Sequence, residues 1–132
     1  MTTATPSTPQ TTMKARAREQ FAAWAGTYDR SLLHHFLFRP SYIALMEEIA
    51  RWYDRHQRPF RVLDIGCGTG ELAAMLATSD WPVEAVGMDY VPEMCMAAGE
   101  KLRGHTDPGR AWFAAGDSEF LPFADASIDI VT

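Results

Sequence analysis

Apolar residues recur at steps of three and four through Tyr42, Leu45, Met46, Ile49, Trp52 and Tyr53, while Glu47, Glu48, Arg51 and Arg55 mostly take the other side. That spacing predicts an amphipathic helix packed on a sheet. Pro40 suits its first position, where a missing N–H costs nothing. From Phe60 the period shortens. Phe60 to Ile65 is a brief apolar run bounded by Pro59 and Gly66, and predicts a buried strand. Glu71 to Thr78 then reads as a helix with Leu72, Met75 and Leu76 inward, and Trp81-Pro82 as a turn. Val83 to Met88 predicts a second strand that ends in Asp89. Pro92 opens a further helix over Glu93 to Arg103, with Met94, Ala98 and Leu102 on one side. After a polar loop at Gly104 to Gly109, Ala111 to Ala115 and Ile128 to Val131 predict a third and a fourth strand. Strands alternating with helices call for parallel pairing and an α/β fold.

The stretch before Pro40 is less regular. Lys14 to Ala25 can be helical, with Phe21 and Trp24 on a shared face and Gly26 ending the helix. Ser31 to Phe38 is apolar around the pair His34-His35, and adjacent histidines diverge on a helix, so they make poor joint metal ligands. Met1 to Thr12 is rich in Thr, Pro and Ser, without a charged n-region or an apolar h-region, which predicts a disordered tail rather than a signal peptide. The expected organisation is a tail over 1–13, a helical segment over 14–58 and the α/β domain over 59–132.

Composition narrows the classes. The 132 residues hold one domain at most, and 47% hydrophobic with 22% charged residues fits a soluble globular chain. A net charge of −5 without a basic patch argues against a nucleic-acid partner. No apolar run is long enough to span a bilayer, and a cytoplasmic location is expected. Cys67 and Cys95 make neither a disulfide framework nor a metal site and read as reduced, buried thiols. No metal is expected.

The chemistry concentrates at Asp64-Ile65-Gly66-Cys67-Gly68-Thr69-Gly70. Glycines at alternating positions, between a strand and a helix, bring unpaired N–H groups and a helix N-terminus close to a ligand. No Lys-Ser/Thr pair follows Gly70, so the loop is no nucleotide P-loop, and Glu71 stands where a dinucleotide fingerprint needs its third glycine. Asp89 lies 19 residues beyond Gly70 at a strand end, where an acid accepts from both hydroxyls of a ribose. That position serves an adenosine ribose whichever cofactor carries it.

The D-x-G-x-G-x-G pattern from Asp64 to Gly70 resembles the first motif of class I S-adenosylmethionine-dependent methyltransferases. Gly116-Asp117-Ser118-Glu119-Phe120-Leu121-Pro122-Phe123-Ala124-Asp125-Ala126-Ser127-Ile128-Asp129 resembles the G-D-A-E-x-L-P-F-x-D-x-S-F-D segment of the ubiquinone/menaquinone biosynthesis methyltransferases, with Ser118 for Ala and Ile128 for Phe. Phe21-x-x-Trp24-Ala25-x-x-Tyr28-Asp29 is similar to the same group's N-terminal segment. The resemblance implies a Rossmann-like parallel sheet that binds S-adenosyl-L-methionine. Its loop at Asp64, Gly66, Cys67, Gly68 and Gly70 would wrap the methionine part, with Asp89 at the ribose and Tyr90 also binding the cofactor. Asp117 and the Ser118 backbone would meet the adenine, and Tyr28 would close over the cofactor.

The resemblance further implies a small-molecule methyl acceptor, whose identity is not legible, and a chain that stops after the fourth strand of a longer fold. On that expectation the isolated chain binds the cofactor weakly at best and does not turn over, or its open fourth strand pairs with a second copy or a complementing chain. Methyl transfer from a sulfonium needs alignment more than a catalytic group. His34, His35, His56 and His105 are the titrating candidates for a general base, and none is singled out. Two alternatives remain open: an NAD-binding oxidoreductase half-domain, and a non-catalytic module that dimerises through its edge strand.

Overall fold

The computed structural model describes residues 9–24, 32–104, 107 and 109–132. Among them run α1 (Pro9–Trp24), α2 (Leu32–His56), β1 (Phe60–Ile65), α3 (Glu71–Ala77), β2 (Val83–Asp89), α4 (Pro92–Leu102), β3 (Ala111–Ala115) and β4 (Ile130–Val131). The strands form one parallel sheet in the order β3-β2-β1-β4. The α/β expectation is met.

The apolar runs become strands because both of their faces find cover, the usual state of a parallel strand. One face carries Phe60, Val62, Val83 and Ala85 against Ile49 of α2 and Leu72, Ala73 and Leu76 of α3. Tyr42, Leu45, Met46, Trp52 and Tyr53 pack around this core, as their helical spacing predicted. The other face carries Leu63, Val86 and Met88 under Ile65, Phe123 and Ile128. The inward residue Met75 is only partly buried, and Ala73 and Ala77 take the place beside Leu72 and Leu76.

Register sets the strand tips in a row. Ile65 lies opposite Met88, and Asp89 opposite Ala115, so Gly66, Tyr90 and Gly116 leave the sheet side by side. β4 is held to β1 by Val62↔Ile130 and Leu63↔Val131. Asp129 secures its start: its carboxylate accepts from the Arg61 N–H at 2.9 Å and from Arg58 at 2.7 Å.

Two expectations need correcting. Pro40 does not begin its helix; it lies inside α2, which starts at Leu32. A proline inside a helix removes one hydrogen bond and costs about 3 kcal/mol. The long apolar stripe downstream, anchored by Ile49, offsets that loss, and the helix extends through the apolar stretch upstream. The first helix begins at Pro9, within the stretch expected to be a tail, and its proline occupies the N-terminal position that tolerates it. Residues 1–8 and the expected stop at Gly26 lie outside the described residues. No helix of the described residues is long and apolar enough to cross a membrane.

Candidate functional site

A cavity of about 480 Å³ opens outside the carboxyl ends of the strands, the position where open α/β sheets bind ligands. Ile65, Gly66 and Gly68 come from β1 and its loop, Met88, Asp89, Tyr90 and Val91 from the end of β2, and Gly116, Asp117 and Ser118 from the end of β3. The helix α1 lays Lys14, Ala17, Arg18 and Phe21 across the opposite wall.

The loop adopts the left-handed conformation at Gly66 (φ 74°), Gly68 (φ 55°) and Gly70 (φ 79°). Nothing lies within 4 Å of a Cβ built at Gly66 or Gly68, so bare main chain faces the cavity there. Gly70 does something else. A Cβ on it would meet Ala98 at 2.8 Å and the Phe113 ring at 2.9 Å, so its smallness lets α3 start against α4 and β3.

Four amides of the loop are already paired, where a row of unpaired N–H groups was expected. Gly66 and Cys67 donate to the Met88 carbonyl at 2.7 and 3.0 Å, and Gly70 donates to the Cys67 carbonyl at 2.9 Å. Gly68 donates to Asp89 Oδ2 at 2.9 Å. A phosphate would find these donors spent. A cation or a neutral ligand loses nothing by that, and Asp89 and Asp117 line the cavity across from Lys14 and Arg18.

Asp89 accepts from the Gly68 N–H through Oδ2 and from the Val91 N–H through Oδ1, both at 2.9 Å. These bonds aim the carboxylate and leave each oxygen a further lone pair for a hydroxyl. Asp64 does not line the cavity. It accepts from the Thr132 hydroxyl at 3.1 Å, and its pKa is raised to about 6, by burial first, against the opposing Thr132 bond, and by the charge of Asp89. No lysine or arginine among the described residues pairs with it.

Cys67 also lies outside the cavity. It is buried, close enough to Gly87 that a Cβ there would lie 2.9 Å from its sulfur. Its pKa is pushed up by a hydrogen bond with Cys95 and by burial, which keeps it a neutral thiol. Both cysteines are free and buried.

Asp117 accepts from the Glu119 N–H at 3.0 Å, which, ahead of Lys14, holds its carboxyl below the usual carboxylate range. Lys14 Nζ lies 3.1 and 3.3 Å from its two oxygens, 2.8 Å from Glu119 Oε2, and 5.9 Å from the centre of the Tyr90 ring.

Of the sequence candidates, Gly66, Gly68, Asp89, Tyr90, Asp117 and Ser118 thus meet in one cavity, whereas Asp64, Cys67 and Gly70 stand behind it. Tyr28 lies outside the described residues. Sequence reasoning missed the α1 wall, although Lys14, Ala17, Arg18 and Phe21 fall at i, i+3, i+4 and i+7, one helical face. Among the described histidine side chains, His56 is spent on the Trp52 carbonyl and stacks on the Trp52 ring at 4.1 Å. No cluster of the described residues could hold a metal ion.

Comparison with known proteins gives this geometry a context. Residues 62–132 match the family described as "Methyltransferase domain". The chain is 31% identical over 121 residues to a ubiquinone/menaquinone biosynthesis C-methyltransferase of Methylobacterium nodulans, covering 90% of this chain and 47% of that protein. It is 30% identical over 131 residues to a demethylmenaquinone methyltransferase of Leptospira interrogans, covering 94% and 50%. Among solved structures, magnesium protoporphyrin IX methyltransferase from Synechocystis PCC 6803 with bound SAH shares the fold, at a TM-score of 0.60, 19% identity and coverage of 79% and 51%. The chain spans about half the length of the curated relatives it matches.

Proposed function

The chain belongs to the methyltransferase domain family, and from that premise we propose that it forms the cofactor-binding portion of an S-adenosyl-L-methionine-dependent methyltransferase acting on a small molecule. The observation that carries the reading is the cavity at the strand tips, where bare glycine main chain meets Asp89 and Asp117 while the loop amides are already paired. That combination suits a nucleoside and offers a pyrophosphate few free loop donors. Nothing favours the oxidoreductase alternative.

In this reading the free lone pairs of Asp89 take the ribose hydroxyls, and Asp117 takes the exocyclic amine of adenine. Gly66 and Gly68 admit the methionine part to the main chain. Asp64, a carboxylate without a cationic partner, is offset when an ammonium group comes near. The cofactor supplies its own leaving group as a sulfonium. The residues of this chain bind, orient and shield it, and Tyr90, Met88, Val91 and Met94 supply walls that exclude water. The relatives' names make a demethylmenaquinone-type ring the first acceptor to try. A strand added along β4, whose Val131 is 57% exposed, is the partner contact this reading favours.

Calorimetric titration of the 132-residue chain tests the proposal. S-adenosylhomocysteine should bind and NAD should not, and Asp89→Ala should weaken the former at least about tenfold through loss of charge-assisted bonds. Equal binding of both compounds, or an Asp89→Ala variant that binds like the wild type, overturns the proposal.

A further inference from the structure

The ammonium of Lys14 occupies the very carboxylate that the proposed nucleoside needs. Its contacts with both Asp117 oxygens and with Glu119, beside the Tyr90 ring, put a cation of the protein's own at the far end of the cavity. The hydrogen bonds to Glu119 and then Asp117 raise its pKa, so it stays charged across the physiological range.

The helix that carries it is lightly held. None of its described side chains belongs to either core cluster. Residues 15–21 are exposed, and Phe21, which faces the cavity, is 40% exposed. The Lys14 ion pairs add to the packing of α1 on α4 in seating the helix over the strand tips. Such pairs at the surface are weak and readily exchanged.

Asp117 has limited capacity. One oxygen already serves the Glu119 N–H, and Lys14 lies against both. An arriving amine donor must therefore share or displace the ammonium. We propose that Lys14 is a positioning residue that competes with the nucleoside base for Asp117, so that α1 is latched over the cavity until a ligand with a donor at the base exchanges for it. This rests on the cofactor reading above. The latch favours ligands that bring an amine to Asp117, because only a donor restores the bonds that Lys14 gives up.

The test is calorimetry with S-adenosylhomocysteine on wild type, Lys14→Met, Lys14→Arg and Glu119→Gln. Methionine keeps the apolar stem and removes the charge. Glu119→Gln loosens the latch from outside the cavity and leaves Asp117 with its backbone bond. Lys14→Met should bind about two- to five-fold more tightly than wild type in dilute buffer, the range expected when an exposed ion pair is removed from competition. Glu119→Gln should shift the same way, and Lys14→Arg should match wild type. The gain should fade at about 1 M NaCl, where screening opens the latch in every variant.

Unchanged or weaker binding by Lys14→Met, or a gain indifferent to salt, overturns the latch while leaving the cofactor reading intact. A wild type that binds no S-adenosylhomocysteine at all overturns both.

Discussion

Replacing Asp64 with asparagine should stabilise the protein at neutral pH and do little in acid. The carboxyl of Asp64 is raised from 3.8 to about 6, mainly by burial and further by Asp89, with the Thr132 bond opposing. A group whose folded pKa exceeds its unfolded one binds more protons when folded. Stability is then fully present below the unfolded value, near 4, and is lost as pH rises toward 6. A shift of about two units is worth about 3 kcal/mol. Asp64 is only partly buried, so an expected gain for Asp64→Asn of about 1–3 kcal/mol at pH 7.5 is the more realistic range. Asparagine retains an oxygen for the Thr132 hydroxyl and carries no charge to desolvate. Urea unfolding of both proteins at about pH 4.5 and pH 7.5 measures the difference directly. The same experiment with S-adenosylhomocysteine at about 100 times its Kd should add about 2.7 kcal/mol to the wild type. A variant advantage that is equal at both pH values, or a variant less stable at pH 7.5, refutes the account of Asp64 as an uncompensated charge.

Other expectations follow from packing and pairing. Gly70→Ala should destabilise by about 2–4 kcal/mol in a denaturant melt, since a Cβ there meets Ala98 and Phe113 at under 3 Å in a left-handed conformation. Asp129→Ala should cost about 1–2 kcal/mol by stranding the Arg61 N–H and releasing Arg58. Amide hydrogen exchange should then show faster exchange at Ile130 and Val131 than at β2.

Much of the sheet was legible because its central strands β1 and β2 are largely buried and read as mainly apolar runs bounded by turn residues. Phe60–Ile65 and Ala111–Ala115 fall where the pattern placed them. The last strand is shorter than its apolar run, because Ile128 turns to cover Leu63 and Val86 and Asp129 caps the entrance to Ile130. The helix through Pro40 was hidden because a local rule about proline says nothing of the anchoring supplied by Ile49 more than two turns later. At the site, spacing located Asp89 and Asp117 at strand tips, yet it could not say which glycines face a ligand. Gly66 and Gly68 open on empty space, while Gly70 opens on Phe113, a residue distant in sequence. The same holds for the amides of Gly66, Cys67 and Gly68, whose acceptors sit on the neighbouring strand.

That last arrangement bears on what recognition must cost here. A turn pinned at three of its amides by Met88 and Asp89 keeps its shape whether or not anything lies against it. Little entropy is left to surrender at the floor when a guest settles, and tightness can be tuned almost wholly at the roof, by residues that can drift without disturbing the sheet below.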